Sequence, residues 1–128
     1  MIYEVLKTAL ESVDGLSARV FPINAIKNRT TPFVVYLLEN QHQEMALDGP
    51  TGLFTAQYEV NVVHDSYVDI DALSSAISSA LYALSGTKQV SLLVTSVTIM
   101  QGDPERYEDE VDLWRRPLTV ILRYQEVD

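Results

Sequence analysis

A chain of 128 residues in which 47% are hydrophobic has room for one core and one domain. It contains no cysteine, which excludes disulfides, thiol chemistry and zinc sites built on Cys. A formal net charge of -9 repels phosphate backbones and anionic lipid headgroups, so neither tight, sequence-specific nucleic-acid binding nor a membrane partner is expected.

The chain opens with an amphipathic helix. Ile2, Val5, Leu6, Ala9, Leu10 and Val13 recur at helical spacing, and Gly15 suits the left-handed position that ends a helix. Glu4 and Glu11 lie where a signal peptide has a basic start and an unbroken apolar run. No apolar run approaches the roughly 20 residues that span a bilayer. A protein that stays soluble where it is made is therefore expected. Arg19-Val20-Phe21 is a short apolar segment closed by Pro22, and residues 24–31 form a polar loop.

Phe33 to Glu39 is a strand with almost no polar residue, so both its faces are expected to be covered. The polar stretch from Asn40 to Gly52 contains the turn dipeptides Asp48-Gly49 and Gly49-Pro50 and is expected to be a long hairpin connection. Phe54, Ala56, Tyr58, Val60 and Val62 then alternate with Thr55, Gln57, Glu59 and Asn61. A period of two assigns the first set to a core face and the second to water or a partner. Ser66 caps a second helix whose stripe is Ile70, Leu73, Ile77, Leu81 and Leu84, with Ser74, Ser75, Ser78 and Ser79 opposite and Ser85-Gly86 at its end. Val90 to Met100 is a strand, and a charged connection runs from Gly102 to Glu110. Val111 to Glu126 is a strand in which Pro117 demands an edge or a bulge. The whole is predicted as one α+β domain over 1–128, an antiparallel or mixed sheet of about four to five strands with two helices packed on one face.

The residues that carry chemistry are few. His64, Asp65, Asp69 and Asp71 surround a helix start, where they serve as a cap and as favourable negative charge rather than as convergent metal ligands. His42 belongs to a polar stretch. Glu105, Glu108, Asp109, Glu110 and Asp112 lack the alternate-oxygen spacing and central glycine of a calcium loop. The serine face has no nucleophile elbow, and Gly49 and Gly52 do not precede a helix as a phosphate loop would. No enzyme, metal site or cofactor is expected. Trp114, Arg115 and Arg116 form the one basic-aromatic cluster, either an interface anchor or a core tryptophan whose arginines pair with the acidic loop.

One set of features stands together: Pro32-Phe33-Val34-Val35-Tyr36, then Leu47-Asp48-Gly49-Pro50, an alternating strand, the helix region Asp65 to Leu84, the acidic loop with Pro104-Glu105 and Tyr107, and a last strand ending in Arg123-Tyr124. From about Phe21 onward it resembles the tail completion or tail terminator proteins of long-tailed phages and prophages. The resemblance implies a non-catalytic subunit of a hexameric ring. That ring caps the finished tail tube and offers the surface on which the head, through its completion or connector protein, docks. Assembly would take place in the host cytoplasm and end in the virion tail.

Connections longer than hairpins need are usually functional. Asp48, Glu105, Glu108, Asp109, Glu110, Trp114, Arg115 and Arg116 are the interface candidates on that ground. The alternative is a small adaptor that binds a folded protein by pairing with a strand edge.

Overall fold

Both amphipathic stripes are helices. The structure, a computed structural model, describes residues 2–22, 31–47, 49–89, 91–101, 105–108 and 112–126. Helix α1 (Ile2–Glu11) buries Ile2, Val5, Leu6, Ala9 and Leu10, and the chain turns away through Gly15 at φ +87°. Helix α2 (Tyr67–Tyr82) starts where Ser66 Oγ accepts the Asp69 N–H at 3.4 Å. Past its end, Gly86 at φ +80° donates to the Val94 carbonyl at 2.7 Å, which ties the helix exit to the sheet.

The described strands are β1 (Val20–Pro22), β2 (Phe33–Ala46), β3 (Gly49–His64), β4 (Lys88–Gln89), β5 (Leu92–Met100), β6 (Arg106–Glu108) and β7 (Leu113–Glu126). They form one sheet in the order β1-β2-β3-β7-β5-β4, with β6 also on β7. Only β1 and β2 run parallel, so the sheet is mixed. Both helices pack on one face. There Leu6, Leu10, Ile70, Ile77 and Leu81 meet Val60, Val62, Val94, Val120 and Leu122, all fully buried. Each such side chain contributes about 1.5–3 kcal/mol by leaving water. A smaller cluster of Phe33, Val35 and Val63, flanked by Phe21 and Leu113, is buried on the other face. The first part of β2 is thus covered on both sides, as its composition predicted.

Seven strands replace the expected four to five: β4 and β6, of two and three residues, are too short for a period to show. The predicted connection from Asn40 to Gly52 is not a loop: β2 and β3 continue as a twisted arm with register shifts beside Glu39 and Glu44. Pairing of β3 with β7 begins only at Leu53, so the tip of the arm is two-stranded. Polar residues line both its faces, which removes the alternation that marks a half-buried strand.

Two further departures follow from sheet geometry. Thr95 is a bulge: Val94 pairs with Tyr124 and Ser96 with Arg123, so the core-facing series runs Leu92, Val94, then Val97 and Ile99. Pro117 sits opposite Asn61 on the β3 side. On the other side it falls between β5 pairing, which stops at Thr119, and β6 pairing, which starts at Arg115. A central strand therefore tolerates proline at a stretch where, among the described residues, nothing pairs with its second side.

Candidate interaction surface

β6 and β7 meet at the start of α2 and build one ordered surface there. Strand alternation directs Trp114 and Arg116 of β7 to the helix side of the sheet. Trp114 packs against two rings, Tyr67 of α2 at 4.6 Å and 62°, and Tyr107 of β6 at 4.9 Å and 53°. Both contacts fall in the tilted range that aromatic pairs prefer. Arg116 repeats the arrangement with charges: Nη1 donates to Asp71 Oδ1 of α2 at 2.9 Å, and Nη2 to Glu105 Oε1, just before β6, at 3.0 Å. The result is an aromatic row, Tyr67-Trp114-Tyr107, beside a charged row, Asp71-Arg116-Glu105. Each row is centred on β7 and flanked by the same two segments.

The Arg116 side chain is only 11% exposed. Burial works against its charge, but the bonds to Asp71 and Glu105 outweigh that and raise its pKa above the usual value. Arg116 Nε and Glu105 Oε2 are buried with no hydrogen-bond partner among the described residues. Asp112, at φ +54°, closes the turn into β7 and accepts the Tyr107 hydroxyl at 2.7 Å. Asp is one of the few side chains that tolerate the left-handed region there.

Of the predicted interface residues, the structure brings together Glu105, Trp114 and Arg116. Arg115 faces the opposite side of the sheet, in register with Arg106 and Val63. Glu108 is described as a strand residue paired with Leu113. Asp48, Asp109 and Glu110 lie outside the described residues. Arg116 pairs with the acidic connection, as one reading of the basic-aromatic cluster expected, and Trp114 is half-buried beside exposed tyrosines. Tyr67 was not singled out from sequence. The available signal was its position one residue after the cap Ser66, which places it at the mouth of the helix.

His64 Nδ1 lies 2.9 Å from Asp65 Oδ1 and 3.1 Å from the Ser66 N–H, so it serves the strand-to-helix turn. Among the described residues, no three His, Asp or Glu side chains converge on one point that would suit a metal ion. No described helix is long and apolar enough to cross a membrane. A cleft of about 360 Å³ opens between α1, the arm and the sheet, lined by Ile2, Gln41, Phe54, Leu92, Tyr124 and Glu126 among others. Its phenol is already engaged, since Gln41 Nε2 donates to Tyr124 Oη at 2.7 Å and the Phe54 ring stacks on Tyr124 at 5.4 Å.

No protein-family model matches the sequence, and no curated protein does. Among solved structures, a chain from the virion of a native gene transfer agent particle is similar, with a TM-score of 0.69 over 94% of this chain and 91% of that one. The two are 16% identical in sequence. The likeness establishes that the whole α+β domain is a fold found in that particle.

Proposed function

We propose that this chain is a structural subunit of a phage-type virion, and within it a tail terminator: a non-enzymatic protein that joins a ring on the finished tail tube and presents the surface for the head. The observation that carries this reading is the fold shared with a virion chain over nearly the full length of both partners. It agrees with the resemblance of the sequence to tail completion proteins. A ring subunit needs two different contact surfaces rather than one self-complementary patch. The β2–β3 arm, which extends beyond the pairing of β3 with β7, suits one of them.

A second reading rests on the outer edge of β2. Pairing with β1 ends at Tyr36, although β2 continues to Ala46, so a long edge is open to strand addition among the described residues. That edge suits an adaptor that captures a folded partner through backbone hydrogen bonds. Both readings are tested by mass measurement in solution across salt and protein concentration, with and without purified tail tubes from the same genome. A closed ring, or capture at tube ends only, supports the terminator. A strict monomer that ignores the tubes rejects it and leaves the adaptor.

A further inference from the structure

We infer that the aromatic row Tyr67-Trp114-Tyr107 is a docking site for a basic segment of a partner protein, whose lysine or arginine side chains lie against the exposed rings and are held by surrounding carboxylates. Three observations carry this. First, large rings are gathered at the surface and left half open: Tyr67 is 48% exposed, Tyr107 43%, and the adjoining Val68 78%. Tyr and Trp dominate the energetics of protein interfaces, and their ring faces attract ammonium and guanidinium groups.

Second, the rim is acidic. Asp65, Asp69 and Asp112 are exposed, and Asp71 keeps 75% of its side chain in water while bonded to Arg116. Glu105 adds a fifth carboxylate, and on this side of the sheet Arg116 is the guanidinium set against them. Strand alternation sends Arg106 and Arg115 to the other face. Third, the rings are fixed before anything binds. Asp112 holds the Tyr107 hydroxyl, and Trp114 is packed against the core, so little side-chain freedom is lost on docking.

Charge decides the occupant. At this acidic site a second copy of this chain, with 18 acidic against 9 basic residues, is disfavoured, as is a nucleic acid. A lysine- or arginine-rich segment of another protein is attracted. This goes beyond the ring reading and stands apart from it, because a subunit that forms no ring can still carry such a site.

Trp114 is the only tryptophan, so its emission reports on the site directly. The probe is a decapeptide of alternating arginine and glycine, titrated at low salt, with alternating glutamate-glycine and serine-glycine peptides as controls. The expected result is a saturable change in emission for the arginine peptide alone, half-complete below about 1 mM. High salt should weaken it several-fold, since exposed charges are screened beyond about 10 Å at 0.1 M. Tyr67→Ala and Tyr107→Ala should each raise the half-saturation point about fivefold or more. Both residues are half-exposed, and circular dichroism verifies that the variants fold. Three results overturn the inference: no saturable response, an equal response to the glutamate peptide or to duplex DNA, or an arginine response unchanged in both tyrosine variants. The last would show mere charge attraction without a ring site.

Discussion

Removing the Arg116 guanidinium tests whether the charged row is structural. Arg116→Met keeps most of the buried stem and deletes the charge. The cost depends on what each partner loses. Glu105 is 23% exposed, so its carboxylate recovers little water; a bond to a charged group contributes about 1.5–3 kcal/mol, and this one sits towards the low end because it is partly wet. Asp71 is 75% exposed and recovers its hydration, which leaves at most about 0.5 kcal/mol. The sum is about 2 kcal/mol. For a domain of this size each kcal/mol moves Tm by about 3–5 °C, so a fall of roughly 6–10 °C is expected by calorimetry.

The order of the single variants is as informative as the size. Arg116→Met should cost most, Glu105→Gln about half as much, and Asp71→Asn least. The double variant Arg116→Met, Glu105→Gln should cost about 1 kcal/mol less than the two singles added, because the stranded carboxylate is gone. If Asp71→Asn costs as much as Arg116→Met, or the cycle is additive, the burial argument is wrong. One consequence concerns interface tests. Arg116→Glu would set a third acid between Asp71 and the mostly buried Glu105 and damage the fold, whereas Arg115→Glu leaves that charged row intact.

Deleting Thr95 should remove the bulge yet keep Val97 and Ile99 on the core face, because Val94 and Ser96 already pair with consecutive residues of β7; soluble, folded protein is expected, Thr95→Ala should cost under about 1 kcal/mol by denaturant titration, and loss of soluble protein on the deletion would refute this register. Burial, then repulsion from Tyr124, Tyr36 and Tyr3, pushes the Tyr58 phenol up to about 12. Its folded pKa therefore exceeds the unfolded value near 10, and the stability it contributes is full below about pH 10 and lost as pH rises through about 12. Tyr58→Phe should flatten that alkaline limb in a thermal-melt series, and an unchanged limb would assign the loss to other groups.

Patterns that a single element carries by itself were legible in the sequence. The stripes of α1 and α2, the Ser66 cap, the helix exits at Gly15 and Gly86, and the alternation of Ala56, Tyr58, Val60 and Val62 each need only local geometry. What failed depends on neighbours. Asn61 shares a face with Gln57 by period, yet it is 4% exposed because it lies between Val35 and Pro117. Ser74 belongs to the serine face by composition, yet it is 6% exposed and its hydroxyl has no hydrogen-bond partner among the described residues. Both are placed by what packs over them, and no period of two or 3.6 records that.

The surface at β7 shows how far such a limit extends. Its parts are spaced by the repeat of their own element: Tyr67 and Asp71 four apart on a helix, Tyr107 and Glu105 two apart leading into a strand, Trp114 and Arg116 two apart on another. Each pair sets a ring one step from a charge, and only the central pair is basic. The three pairs, aromatic-acid at Tyr67 and Asp71, acid-aromatic at Glu105 and Tyr107, and aromatic-base at Trp114 and Arg116, are in the chain before it folds, and only folding puts the basic pair in the middle. Aligning them needs the β6–β7 register that sets Tyr107 opposite Trp114, and the docking of the first turn of α2 that brings Tyr67 over the same ring. The charged row makes that alignment specific, since a slip by one residue would bring Arg115 to the helix side in place of Arg116 and leave Glu105 without its partner. Arg116 therefore fixes the register that presents the three rings. Arg116→Met has two opposed effects on the arginine-peptide response of Trp114: removing the cation set among the carboxylates strengthens it, and loosening the register weakens it, so tighter binding in a folded variant would show that the rings stay aligned without Arg116.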